Sequence, residues 1–181
     1  APLFMCGTTG FYLAAVPVVK QLHQSYYFSA HLHYVLFGGS VFTFFAGIYY
    51  WFPKITGRML NKTLGELNFW TLFIGFNGTF LIMHTLGLEG MPRRIATYAN
   101  PAWGTTNMII TISSFLIAFS VLLFLIHVLH RRRAGGVGGG DPCQGNTADM
   151  VTKSPTPRDD PRQAPHVAHP PPLPDARDGR G

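Results

Sequence analysis

His31 and His33 are the residues best placed to do chemistry. They are separated by Leu32 alone and lie in a stretch with no Asp, Glu, Lys or Arg from Gln21 to Pro53. That stretch is long and apolar enough to span a bilayer, which takes about 20 mostly apolar residues. An ionisable group at such depth is expensive and marks a functional candidate. On a helix each residue turns by about 100°, so positions i and i+2 point about 200° apart. Two such imidazoles cannot chelate one ion, whereas on a strand they would share a face. If both are ligands, they serve two different centres flanking the helix. The alternative is a pair of core histidines bonded to neighbouring helices, and the spacing leaves both open.

Arg93 and Arg94 are the second feature, because they stand where charge is not expected. The chain reads as an all-α membrane protein with three complete transmembrane helices, over about 26–50, 67–86 and 107–129. A partial helix precedes them within Ala1 to Val19, broken by Gly7, Gly10 and Pro17. Trp51 marks an interface, and Pro53 is expected to end the first complete span. Lys54, Arg58 and Lys62 make the 54–66 loop cytoplasmic by the positive-inside rule, and Arg131 to Arg133, two crossings later, fall on the same side. His23 and Arg93-Arg94 then lie outside, where two adjacent arginines break the rule. Two fixed carboxylates would satisfy such a pair through charge-assisted, often bidentate bonds. Histidines able to bind iron, with arginines able to bind carboxylates at the same level, suggest haem and its propionates. Lipid phosphate or a neighbouring subunit is the other way to satisfy the arginines.

Composition supports this organisation. Residues 1–133 carry nine Lys/Arg and two Asp/Glu; residues 134–181 carry five Lys/Arg and six Asp, with many Pro and Gly. The first part reads as a transmembrane portion. The second, opening on GGVGGGDP and ending near HPPPLP, reads as a disordered cytoplasmic tail. The formal net charge of +6 comes from the first part and carries topology. No basic face with interleaved aromatics points to nucleic acid. Cys6 and Cys143 form neither a disulfide framework nor a metal-ligand spacing. His127 and His130, beside Arg131, read as interfacial, and His166 and His169 show no ligand spacing. The opening APLFMCG has no basic leader region and suggests a fragment, or a chain whose earlier part is missing.

Two stretches carry a family resemblance. LHQSYYFSAHLHYVLFGGSVFTFFAGIYYWFPKITGRMLN resembles the helix X region of subunit I of the haem–copper cytochrome c oxidases. NFWTLFIGFNGTFLIMHTLGLEGMPRR is similar to the helix and outer loop that follow. The A-H-x-H-Y-V core and the G-M-P-R-R loop occur in the family's order, and the likeness covers about Gly7 to Arg133, weakly reaching DPCQGNT. It spans the end of the ninth of twelve helices through the twelfth.

The resemblance implies roles by position. His31 matches the axial ligand of the high-spin haem and His33 an axial ligand of the low-spin haem. Arg93 and Arg94 match the arginines on haem propionates, and His23 a ligand of a non-redox magnesium or manganese site. Asn77, His84 and Trp51 match packing or network positions. Two haems of the A type, copper held by residues outside this chain, and Mg or Mn at His23 are the implied cofactors. The implied partners are the remaining oxidase subunits, including the copper-carrying subunit II, with cytochrome c and the lipid bilayer. The implied place is the inner or cell membrane. The implied activity is electron transfer from cytochrome c to dioxygen, giving water and coupled to proton translocation. A quinol-oxidising relative, or a truncated inactive fragment, is the alternative; a structural or transport module with incidental histidines is a third. Gln24 departs from the usual Asp after the magnesium-site His, so cation affinity is expected to fall. Ile95 replaces an aromatic. No H-P-E-V-Y is present, so the copper ligands are expected elsewhere.

Overall fold

A computed structural model describes residues 2–134 together with Gly136 and Pro155. Six helices follow in order: α1 Pro2–Ala14, α2 Val16–Leu22, α3 Tyr26–His33, α4 Phe42–Thr56, α5 Lys62–Leu88 and α6 Ala102–Ala134, with a π-helical stretch Tyr34–Val41 joining α3 to α4. Among the described residues there are no strands, only an isolated bridge between Ser25 and Pro92. The fold is therefore all-α. Among the described residues three helical segments are long and apolar enough to cross a membrane: Tyr26–Thr56, Lys62–Leu88 and Ala102–Arg131. Most of the 134–181 segment, with Cys143, His166 and His169, lies outside the described residues.

Each span runs further than hydropathy indicates, for local reasons. Pro53 does not end its helix; it lies inside α4, which continues to Thr56. Proline removes one backbone donor, but its own carbonyl still accepts from the Gly57 amide at 2.8 Å. The helix stops at Gly57, whose φ of +70° is the left-handed conformation that glycine adopts freely. α5 begins at Lys62, before the apolar run, because the Asn61 side chain accepts from the Leu64 amide at 3.3 Å and caps it. The partial N-terminal helix is two helices: Ala15 is extended and Pro17 sits in the first turn of α2.

Backbone packing divides the chain into two compact units, Ala1–Phe45 with Glu66–Phe124, and Ala46–Gly65 with the chain from Leu125. The first is built on an aromatic core in which Ala30, Tyr34, Phe76, Phe80 and Met83 are buried, with Phe37 and Phe42 against them. Tyr34 donates its hydroxyl hydrogen to Asn77 Oδ1 at 2.8 Å, which satisfies a polar atom inside that core. Nearer the start of α5, Ser120 Oγ lies 2.9 Å from the Asn68 carbonyl and 2.8 Å from its side-chain oxygen, with both residues buried. In the second unit His127 is buried: its Nε2 accepts from the Asn61 amide at 2.9 Å, and so ties α6 to the residue that caps α5.

Candidate functional site

α3 starts at Ser25, whose Oγ accepts from the Tyr27 amide at 3.2 Å. It stays regular to His33 before the backbone widens into the π-helical stretch. The regular part is the one that matters, because the opposed placement of His31 and His33 depends on α-helical phase. The surroundings differ accordingly. His31 meets α1 at Thr9 and Gly10, whereas His33 stacks on Phe80 of α5 with ring centroids 4.6 Å apart and planes 12° off parallel.

Hydrogen bonding fixes the tautomer of His33 and favours the same one in His31. His33 Nδ1 lies 2.7 Å from the Ser29 carbonyl, which can only accept, so Nδ1 carries the hydrogen. His31 Nδ1 lies 2.9 Å from Thr9 Oγ1. The Thr9 hydroxyl lies 2.8 Å from the Met5 carbonyl, which takes its single hydrogen, so Thr9 accepts from His31 Nδ1–H. Each imidazole therefore keeps the Nε2 lone pair for another partner. A ligating histidine commonly donates its second ring N–H to a carbonyl, hydroxyl or carboxylate, which fixes ring orientation and raises basicity. Both residues fit an iron ligand on this test. Thr9 stands 22 positions before His31, in a run with no other sign of a partner, and sequence reasoning misses it.

The Thr9 contact is directly testable. If His31 ligates iron, replacing Thr9 by Val in the assembled protein removes the acceptor and keeps the shape. The iron–histidine stretching frequency is expected to fall, and haem retention to drop by about 10-fold, as for other outer-shell partners. An unchanged frequency in resonance Raman would show that Thr9 does not orient the ring.

His84 packs edge-on against Tyr27 and Tyr34, at centroid distances of 4.9 and 5.3 Å, and is buried. Its Nδ1 lies 2.8 Å from the Phe80 carbonyl. These contacts match the packing position expected of it. Trp51 is about half exposed and sits edge-to-face with Tyr50.

The arginines are positioned by the turn that follows α5. Gly90 has a φ of +87°, and the Met91 amide bonds back to the Leu86 carbonyl at 3.1 Å. Met91 is buried with Leu86 and Trp103, which anchors the loop. The Tyr26 amide donates to the Met91 carbonyl and the Arg93 amide to the Gln24 carbonyl, both at 2.9 Å. The loop carrying the arginines is thus pinned to the start of the histidine helix. The Arg93 guanidinium lies over the Phe28 ring, 5.0 Å from its centroid. Arg94 has a φ of +64°, unusual for a residue with a Cβ and characteristic of functional loops. The described ion pairs and hydrogen bonds give neither arginine a carboxylate partner.

His23 is exposed, with Nδ1 3.0 Å from the Val19 carbonyl and 3.2 Å from that of Lys20. Gln24 Oε1 accepts from Arg93 Nε at 3.3 Å. No group of three His, Cys, Asp or Glu among the described residues could hold a metal ion.

The fold and site together define a helical membrane protein with two histidines on different faces of one span and two arginines held near that span's start. The profile of the family described as Cytochrome C and Quinol oxidase polypeptide I matches residues 2–116, and the chain belongs to this subunit I family of the haem–copper oxidases. It is 50% identical over 149 residues to a cytochrome c oxidase subunit 1 of Thermostichus vulcanus, covering 82% of this chain and 27% of that protein. It is 42% identical over 175 residues to a cytochrome c oxidase subunit 1 of Alkalihalophilus pseudofirmus, covering 95% of this chain and 28% of that one. A cryo-EM structure of a haem–copper terminal oxidase dimer shares the fold, with a TM-score of 0.66 at 24% identity over 75% of this chain and 26% of that chain. The chain spans about a quarter of the length of the relatives it matches.

Proposed function

We propose that this chain supplies part of the catalytic subunit of a terminal respiratory oxidase, one that passes electrons from cytochrome c to dioxygen and couples this to proton translocation. The observation that carries the reading is the pair of histidines on α3, each with Nδ1 hydrogen-bonded and no hydrogen bond described at Nε2, facing different neighbouring helices. His31 would hold the high-spin haem and His33 the low-spin haem, both of the A type. When bound, the haems and a copper ion ligated outside this chain supply the electron transfer and the reduction of oxygen.

The chain's own residues position and tune these groups. Thr9 and the Ser29 carbonyl orient the two imidazoles. Leu32 keeps the ligands one residue apart, which favours short-range transfer. Arg93 and Arg94 would pair with propionates and raise the haem potentials by their positive charge. Residues 1–133 would form the membrane haem-binding portion. The 54–66 loop and the tail would face the cytoplasm; the Met59 amide donates to the Gly136 carbonyl at 2.9 Å, which supports a shared side for both. The remaining oxidase subunits, subunit II with its copper among them, would complete the centre.

The matched family also includes quinol oxidases, so a quinol donor is the second reading. Oxygen uptake by the intact complex containing this chain separates the two. Reduced cytochrome c is expected to sustain turnover and to be oxidised in proportion to oxygen consumed. Turnover with a quinol alone would establish the second reading, and no turnover with either would favour an inactive fragment.

A further inference from the structure

The turn at His23 and Gln24 is where the resemblance implies a divalent cation, and the Gln24 side chain there is engaged by Arg93. We propose that Gln24 is the neutral acceptor that fixes Arg93, and that the His23–Gln24 turn holds this guanidinium in place of a divalent cation. The placement is set by the backbone before any side chain is considered. Arg93 donates its amide to the Gln24 carbonyl at 2.9 Å, Ser25 bridges to Pro92, and the Tyr26 amide donates to the Met91 carbonyl. These pairings run the two segments side by side and leave the residue 24 and residue 93 side chains as neighbours. Arg93 Nε then reaches Gln24 Oε1 at 3.3 Å, and Phe28 supports the guanidinium through its ring face at 5.0 Å.

A cation bound by His23 and the Gln24 amide would sit beside this guanidinium. Mg²⁺ and Ca²⁺ are held by oxygen ligands whose summed negative charge sets the affinity. Gln24 brings none, and one lone pair of its oxygen already serves Arg93. The recess beside it is lined by Gln21, Gln24, Ser25 and Pro92, with apolar and glycine neighbours and no acidic residue among those described. A dication there would meet a fixed positive charge at short range, with no carboxylate in the described lining to offset it. The amide suits the guanidinium better. It accepts from Arg93 without neutralising it, and so leaves the full charge for an anionic partner.

The positioning role rests on the reading of Arg93 as a propionate partner, whereas the loss of the cation site does not, and two measurements on the intact complex separate them. The first uses Mn²⁺ as the probe, supplied during growth in low-magnesium medium and followed by chelator washing. Electron paramagnetic resonance is expected to show no tightly bound Mn²⁺. One bound Mn²⁺ per complex that is lost in His23→Ala would overturn the proposal. The second is a redox titration of both haems in Gln24→Leu and Arg93→Gln. The potential of the haem served by Arg93 is expected to fall in Arg93→Gln, and to fall by less, in the same direction, in Gln24→Leu. A lowered potential in Arg93→Gln beside an unchanged one in Gln24→Leu overturns the proposal alone. Unchanged potentials in both overturn the propionate reading and the positioning role with it.

Discussion

His33→Ala in the intact complex is expected to abolish the low-spin haem spectrum while the high-spin haem still binds carbon monoxide. The side chain stacks on Phe80 and gives its Nδ1–H to the Ser29 carbonyl, so its one remaining function is at Nε2. Removing an outer-shell partner typically costs about 10- to 100-fold in metal affinity or activity. Removing a ligand itself should exceed that, and turnover should be lost because electrons no longer pass through the low-spin centre. Optical difference spectra of the dithionite-reduced complex, with and without carbon monoxide, check this. If both haem signals persist, His33 is a packing residue of the Phe80 face.

Gly87→Ala is expected to act through structure with an effect of similar size. A Cβ at residue 87 would overlap the Tyr27 amide nitrogen and fall 2.5 Å from the Tyr27 Cα. Backbone cannot rotate away as a side chain can, so α3 and α5 would have to separate. Tyr27 lies one turn before His31, and Leu86 beside Gly87 is fully buried. The displacement would therefore reach the helix that carries both histidines. Overpacking of a filled core commonly costs about 1–3 kcal/mol and more where no relaxation is open. The expected result is a complex that assembles poorly, with haem content measured as pyridine haemochrome reduced several-fold. Haem at the wild-type level with unchanged spectra would show that the two helices can part without disturbing the site.

These two positions mark what can and cannot be read in the sequence. The three spans are legible because each is a long charge-free run, and hydropathy alone locates such runs. Their ends are not, because they depend on single-residue events. Pro53 is tolerated inside α4, Gly57 stops it, and Asn61 caps α5 ahead of the apolar stretch. The opposition of His31 and His33 is legible because it follows from helical phase over two residues, and regular α-helix does hold to His33. The widened backbone from Tyr34 onward leaves no mark in the hydropathy pattern. Contacts between distant segments are also hidden. Thr9 is 22 residues from His31 and Gln24 is 69 residues from Arg93, and no periodicity links either pair. The partner of His127 is hidden for the same reason: the Asn61 amide that it accepts from lies 66 residues away. The arginine pair stands out because it violates a charge rule, yet the anchoring of its loop by buried Met91 follows only from the fold.

If one helix serves two separate irons, its two ligands can be removed and replaced independently. His31→Gly and His33→Gly would be made separately in the intact complex and titrated with imidazole, followed by magnetic circular dichroism. Imidazole should restore only the high-spin, carbon monoxide-binding centre in His31→Gly, and only the bis-imidazole low-spin centre in His33→Gly. Loss and recovery of the same centre in both variants would mean that the two histidines do not serve separate irons.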